Sequence, residues 1–130
     1  VGPSGAGKTT VFQLILRFHD VSAGRVTFDG IPVAQLEPQV LRQAIGVVAQ
    51  DPVIFAASAA ENIRYGRPGA SDEDVRAAAK TASAAGFLDK LQEGFNTHLG
   101  ERGVRLSGGQ RQRVMIAMAL ANKPDLLIAD

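Results

Sequence analysis

Apolar residues near the start of the chain recur at the spacing of an α-helix. Four of them follow Lys8 at positions i, i+3, i+4 and i+7, which lie on one helix face. These are Val11, Leu14, Ile15 and Phe18, and Phe12 and Leu16 widen the same face. We therefore expect a helix that begins near Lys8 and buries this face in a core.

The next segment combines a turn dipeptide with short apolar runs. Asp29-Gly30 is flanked on both sides by alternating apolar residues, which predicts a hairpin whose two-residue turn has positive φ. A short helix is expected over 38–44. The compact apolar run 45–49 then indicates a buried strand, which ends before Pro52 because proline cannot pair inside a sheet.

The second half of the chain is predicted to be mainly helical. Helices are expected over 58–64, from Ser71 to Gly86, over 87–91 and over 109–121. Ser71 is predicted to be an N-cap, since Asp74 follows three residues later. Residues 126–130 form an apolar strand closed by Asp130, and a strand apolar on both faces is typical of a parallel sheet. Elements in this order indicate an α/β core that carries a helical insertion.

Composition narrows the class of protein. The chain has 130 residues, of which 45% are hydrophobic, enough for one globular domain or part of one. Its longest apolar run, 114–121, is far shorter than the roughly 20 residues that cross a bilayer. A formal net charge of +1 argues against a generally basic nucleic-acid-binding protein. The absence of cysteine excludes disulfides and thiolate metal sites.

Residues 2–9 match the pattern G-x-x-x-x-G-K-[ST] of a phosphate-binding loop. Glycines let successive backbone N–H groups converge on phosphate oxygens, and the following helix directs its positive end at the same anion. Lys8 supplies a positive charge for the outer phosphates, and the Thr9 hydroxyl suits Mg²⁺. The nucleotide-binding residues expected here are Gly2, Pro3, Ser4, Gly5, Ala6, Gly7, Lys8, Thr9 and Thr10. The alternative, a glycine-rich turn that only caps a helix, is disfavoured by the complete pattern.

A carboxylate closes the last predicted strand. Ligands bind at the carboxyl ends of strands in α/β sheets, and Asp130 stands at such an end. On its own this pattern indicates an ordinary strand end. Together with the phosphate loop it predicts that Asp130 holds Mg²⁺ through water, opposite Thr9.

Residues 106–110, LSGGQ, form a second anion-binding pattern. The Ser107 hydroxyl and the bare N–H groups of Gly108 and Gly109 stand at a predicted helix start. We expect Ser107, Gly108, Gly109 and Gln110 to contact nucleotide. An N-capped buried helix is a compatible interpretation of the same residues.

The segment LSGGQ followed by RQR, with the phosphate loop before it and the strand ending in Asp130 after it, resembles the nucleotide-binding domain of ATP-binding cassette (ABC) transporters over the whole chain. The resemblance implies a P-loop NTPase (RecA-like) core in residues 1–50 and 112–130, with the mainly helical ABC subdomain in 51–111. It also implies ATP and Mg²⁺ as cofactors. In this family one ATP lies in a head-to-tail dimer, between the phosphate loop of one domain and the signature LSGGQ of the other.

The resemblance also assigns roles to single residues. Gln50 matches the family's glutamine loop, whose side chain contacts Mg²⁺ and the attacking water and couples to the membrane domain. The catalytic residues implied are Lys8, Gln50 and Ser107, and the metal-binding residues are Thr9, Gln50 and Asp130.

Smaller motifs bear on the subclass. The segments 61–66 (ENIRYG) and 100–103 (GERG) are similar to exporter cassettes, where they face the coupling helices of the transmembrane domain. Met118 stands where exporters usually carry arginine, and residues 120–130 look more like peptide-importer cassettes. The resemblance as a whole favours an exporter.

Several family residues have no counterpart in the chain. The catalytic glutamate would directly follow Asp130, and the switch histidine and the adenine-stacking aromatic lie outside the sequence; His19, His98 and Tyr65 match neither role. The chain also begins at Val1, with no room for the strand that precedes a phosphate loop. We therefore expect an internal fragment, truncated at both ends, that does not itself turn over ATP.

The resemblance predicts an ABC-type ATPase that drives transmembrane export. Its expected partners are a second nucleotide-binding domain and the coupling helices of a transmembrane domain, at the cytoplasmic face of a membrane. Nucleic acid is not expected, because few aromatic residues accompany the arginines near the signature. These are Arg102, Arg105, Arg111 and Arg113. Two alternatives stay open: a soluble ABC-type ATPase acting in translation or on chromosomes, and the ATPase of an ABC importer.

Overall fold

The computed structural model describes residues 6–101 and 104–129. Within these ranges the helices are α1 (Lys8–Ile15), α2 (Pro38–Gln43), α3 (Ala59–Arg64), α4 (Asp72–Thr81), α5 (Ala85–Leu88) and α6 (Gly108–Ala121). The strands are β1 (Thr27–Phe28), β2 (Ile31–Pro32), β3 (Ile45–Val48) and β4 (Leu126–Ala129), and single 3-10 turns cover Val33–Gln35 and Gly94–Asn96.

Strands β1 and β2 form the predicted hairpin. They pair antiparallel, with Phe28 opposite Ile31. Asp29 has φ 48° and Gly30 φ 78°, so both turn residues are left-handed, as a two-residue turn of type I′ requires. The Asp-Gly prediction is confirmed.

Strands β3 and β4 pair in parallel, in a register that runs from Ile45 opposite Leu126 to Val48 opposite Ala129. Helix α6 contacts β3 directly. The close approach depends on Gly46, because a Cβ there would lie 2.9 Å from Leu127 Cδ1 and 3.3 Å from the Ala119 carbonyl oxygen. Since the strands are parallel, their carboxyl ends share one edge of the sheet.

Most of the buried apolar residues that the structure describes fall into two clusters. The helical cluster is built by α3 to α6 with the segment between α5 and α6, and its large fully buried members are Ile63, Val75, Leu88, Leu99 and Val114. The sheet cluster contains Leu16, Val33, Leu41, Ile45 and Ile128. Helix α6 contacts α3 and α4 as well as β3, so it joins the two.

Three helices begin with a complete capping box. Ser58, Ser71 and Ser107 each accept the N–H of the residue three positions on, and that residue's side chain accepts the serine N–H in return. The predicted N-cap at Ser71 is confirmed. Its partner Asp74 and the neighbouring Asp72 and Glu73 occupy the first turn of α4, where carboxylates complement the helix dipole.

Two helix ends differ from the prediction, for the same physical reason. Helix α1 stops at Ile15 because Arg17 turns left-handed (φ 53°), which lets the Phe18 N–H donate to the Gln13 carbonyl at 2.8 Å. Helix α4 stops at Thr81, where Ser83 (φ 57°) makes the same type of C-cap. The expectation that Gly86 ends this helix is therefore wrong.

The predicted buried face of α1 is also wrong in part. Val11 is 52% and Phe18 57% exposed, whereas Leu16 is buried and Phe12 and Ile15 pack beside it in the sheet cluster. Phe18 lies past the helix end, where the Arg42 guanidinium stacks 4.4 Å from its ring centroid. The apolar residues that contact the sheet cluster are therefore Phe12 and Ile15 of α1 and Leu16 at its C-cap position.

Candidate functional site

The last part of the phosphate loop leads straight into α1. Gly7 is the N-cap residue and is left-handed (φ 78°, ψ 13°), and its carbonyl accepts the first helical N–H, that of Val11, at 3.1 Å. A side chain at Gly7 would be strained by this backbone conformation. Gly2, Pro3, Ser4 and Gly5 lie outside the described residues.

The first turn of α1 suits an anion. It carries no acidic residue, so no carboxylate of its own neutralises the positive end of the helix. Lys8 is half-buried there, and Ala6, Thr9 and Thr10 are exposed. The described residues therefore present two threonine hydroxyls and a lysine at the helix start that the motif predicts.

The sheet cluster seats this helix on the parallel strands. Leu16, at the end of α1, is buried together with Ile45 of β3 and Ile128 of β4. Gln50 is exposed two residues after β3. Asp130 directly follows β4 in the sequence but lies outside the described residues. The strand register brings Val48 and Ala129, the last residues of β3 and β4, to one edge of the sheet.

The segment LSGGQ starts α6. The Ser107 hydroxyl oxygen accepts the Gln110 N–H at 3.2 Å, and the Gln110 Oε1 accepts the Ser107 N–H at 2.9 Å. Ser107, Gly108 and Gly109 are exposed, and Gln110 is half-buried. The interpretation as an N-capped helix is confirmed, and the cap leaves the hydroxyl proton of Ser107 able to donate outward.

Packing within the described chain does not require either glycine of this segment. A Cβ on Gly108 or Gly109 would meet no atom within 4 Å. Gly108 and Gly109 are the first two residues of α6, and contacts within the described chain give no reason for glycine at either position. Two bare, exposed backbone units at a helix start that has no acidic residue suit close approach by an anion from outside.

Asn62 is a functional candidate that the sequence interpretation missed. Its side chain is 0% exposed. Its Oδ1 accepts the Phe55 N–H at 2.8 Å, and its Nδ2 donates to the carbonyls of Phe55, Ala57 and Ser58 at 3.0, 3.3 and 3.0 Å. Because both the oxygen and the nitrogen of this buried amide bond to the backbone of one loop, Asn62 orders that loop. The loop is the segment between Gln50 and α3. Only the position of Asn62 inside a predicted helix hinted at burial.

The same loop borders the signature segment. Residues of both segments line a cavity of about 400 Å³: Pro52 and Ile54 of the loop, and Gly100, Glu101, Val104, Arg105, Leu106 and Arg111 around the signature. Further along, the Met115 sulfur of α6 accepts the Val53 N–H at 3.1 Å. The structure therefore brings the region of Gln50 against the helix that Ser107 caps.

The remaining candidates lie on the surface. His19 and His98 are exposed, and Tyr65 is 65% exposed with its ring centroid 4.5 Å from that of Phe55. The hydrogen bond from the Ser58 N–H lowers the pKa of Glu61, a consequence of capping α3. In residues 6–101 and 104–129, no three His, Cys, Asp or Glu side chains are grouped to hold a metal ion.

Comparison with known proteins identifies the family. The sequence profile described as "ABC transporter" matches residues 1–130. The "Heterocyst differentiation ATP-binding protein HepA" of Nostoc sp. is 51% identical over 130 residues, which cover 100% of this chain and 21% of that protein. The "Mitochondrial potassium channel ATP-binding subunit" of Rattus norvegicus is 51% identical over 131 residues, covering 100% and 18%.

A solved structure shows the same fold. The "Structure of a bacterial Atm1-family ABC exporter with ATP bound" superposes with a TM-score of 0.89 at 48% identity, covering 99% of this chain and 23% of that one. The α/β fold is that of a P-loop NTPase. The chain belongs to the ABC transporter family, and its similarity to exporter-type cassettes is confirmed.

The chain spans only about a fifth of the length of these relatives. Among the residues that the structure describes, none of the helices has the length and apolar character needed to cross a bilayer.

Proposed function

We propose that the chain is the ATP-binding part of an ABC exporter, which binds MgATP and, in the complete domain, hydrolyses it to drive transmembrane transport. The observation that carries this proposal is the start of α6. Gly108 and Gly109 stand bare there, with open space where a side chain would be. A second protomer's nucleotide is the group that the family places at this position.

The residues at α1 fit a triphosphate. The left-handed Gly7 and the acid-free first turn support anion binding there, with the motif extending back to Gly2. Lys8 would neutralise charge on the outer phosphates. Thr9, Gln50 and Asp130 would hold Mg²⁺, whose chemistry is to neutralise charge that develops on the transferred phosphoryl group.

The dimer is the second part of the proposal. Helix α1 and the start of α6 pack on different buried clusters, the sheet cluster and the helical cluster. Ser107 to Gln110 would close on the ATP held by a partner protomer, with the Ser107 hydroxyl and the Gly109 N–H donating. We also propose that residues 51–111 act as the helical subdomain and residues 1–50 and 112–130 as the nucleotide-binding core, with α6 spanning both.

Coupling to a membrane domain is the third part. The exposed rings of Phe55 and Tyr65 lie side by side near the motif ENIRYG. This apolar surface would receive the coupling helices of a transmembrane domain at the cytoplasmic face of a membrane. The balanced charge of the chain supports a partner other than nucleic acid.

ATP binding and turnover by the complete protein test the proposal. Lys8→Ala should abolish high-affinity ATP binding. Ser107→Arg should leave ATP binding intact and reduce turnover about 100-fold or more, because the partner can no longer close. Lys90→Ala, at an exposed lysine two residues after α5, is the control and should behave like wild type. Unchanged turnover in the Ser107→Arg protein would refute the shared site.

A further inference from the structure

The segment between β3 and α3, residues 49–57, contains neither helix nor strand. Two side chains, one from α3 and one from α6, form hydrogen bonds with its backbone. At its far end the fully buried Asn62 holds Phe55 by two hydrogen bonds. Nearer Gln50, the Met115 sulfur accepts the Val53 N–H at 3.1 Å.

Met115 lies on the same face of α6 as the signature serine. Ser107, Arg111 and Met115 are spaced four residues apart, which places them along one side of a helix. Arg111 lines the cavity of about 400 Å³ that Pro52 and Ile54 also line. The segment that follows Gln50 therefore lies along the helix face that starts at Ser107.

The hydrogen bonds made by Asn62 and by Met115 differ in strength. Asn62 is an amide that makes four hydrogen bonds in total. Met115 offers a thioether, a weak acceptor on a flexible side chain, to a residue that is 58% exposed. The Met115 contact is therefore the weaker of the two, and Gln50 is only three residues from Val53.

We propose that Met115 is a positioning residue that transmits the position of α6 to Gln50. This inference rests on the proposed function, in which Ser107 contacts the partner's ATP while Gln50 serves the ATP of its own phosphate loop. Met115 then links the two nucleotide sites of the dimer through one helix. A methionine packs like leucine but also accepts a hydrogen bond, so the two properties can be separated by substitution.

The test uses the complete protein with Met115→Leu, Met115→Gln and, as the matched control on the same helix, Met118→Leu. Amide exchange without nucleotide should be about threefold or more faster at Val53 in Met115→Leu, unchanged at Phe55, and restored by Met115→Gln. Turnover should fall about two- to tenfold in Met115→Leu with the KM for ATP unchanged. In a Gln50→Ala background the same substitution should have no further effect.

Three results would overturn the inference: equal Val53 exchange in wild type and Met115→Leu, equal loss of turnover in Met118→Leu, or full additivity with Gln50→Ala. Met115→Ile serves as the second apolar variant if the leucine protein does not fold. A wild-type protein without ATPase activity would refute the proposed function, whereas the Val53 exchange rates would still decide the role of Met115.

Discussion

Replacing Asn62 should be among the most damaging single changes in the helical cluster. Its side chain is 0% exposed and makes four hydrogen bonds to the backbone of residues 55–58. A net value of about 0.5–1.5 kcal/mol per bond gives roughly 2–6 kcal/mol for Asn62→Ala. Phe55 is 38% exposed, so water can reach part of the freed backbone. We therefore expect the lower part of the range, about 2–4 kcal/mol.

Urea unfolding of the complete nucleotide-binding domain measures this loss. Asn62→Asp is the sharper variant, because it keeps the side-chain shape but turns an oxygen toward three carbonyl oxygens, and it should destabilise at least as much as alanine. Asn96→Ala, at an exposed asparagine of the same half of the chain, should change stability by less than about 0.5 kcal/mol. An Asn62→Ala domain within 1 kcal/mol of wild type would refute the reasoning.

Three further predictions concern stability. Gly66→Ala should destabilise the domain by about 3 kcal/mol in urea unfolding, since a Cβ there would lie 1.9 Å from the Met118 carbonyl oxygen. Ser83→Gly should raise the unfolding free energy by about 0.5–1 kcal/mol, because it relieves a left-handed side-chain residue at φ 57°. A hydrogen bond from Lys123 lowers the pKa of Asp74 to about 2, so its stabilising effect is complete above about pH 4 and is lost as the pH falls toward 2. The stability difference between wild type and Asp74→Asn should shrink over that pH window.

Each of these has a matched control. A Cβ at Gly69 would meet no atom within 4 Å, so Gly69→Ala should leave the stability nearly unchanged. Lys80→Gly, inside α4, should lose about 0.5–1 kcal/mol, opposite in sign to Ser83→Gly. Glu73→Gln, also in the first turn, should not reproduce the pH dependence of Asp74→Asn. Equal effects within any of these pairs would contradict the corresponding argument.

Local signals predicted the elements that depend on neighbouring residues. The turn at Asp29-Gly30, the N-cap at Ser71 and the helix that LSGGQ begins all follow from residues within four positions of one another. The left-handed caps at Arg17 and Ser83 were not predictable in this way, because residues other than glycine rarely adopt that conformation. The sequence therefore predicts the wrong end for a helix whose left-handed cap residue is not glycine.

The residues of the candidate site show the same difference between local sequence signals and tertiary contacts. Spacing alone defines the motifs at the starts of α1 and α6, so the sequence is enough to predict them. The roles of Asn62 and Met115 depend on a loop that meets α3 and α6 only in the folded chain. No spacing rule relates Val53 to Met115, so tertiary structure was needed to find that contact.

The pairing of β3 with β4 has a consequence for biogenesis. The two strands are neighbours in the sheet, yet residues 49–125 separate them along the polypeptide. During synthesis β3 cannot pair with β4 until β4 has left the ribosome. The helical cluster is formed within residues 54–121, so it can collapse first. If the helices fold promptly, they bring β3 and β4 together. If they do not, β3 keeps an unpaired apolar edge that is exposed to chaperones or to aggregation.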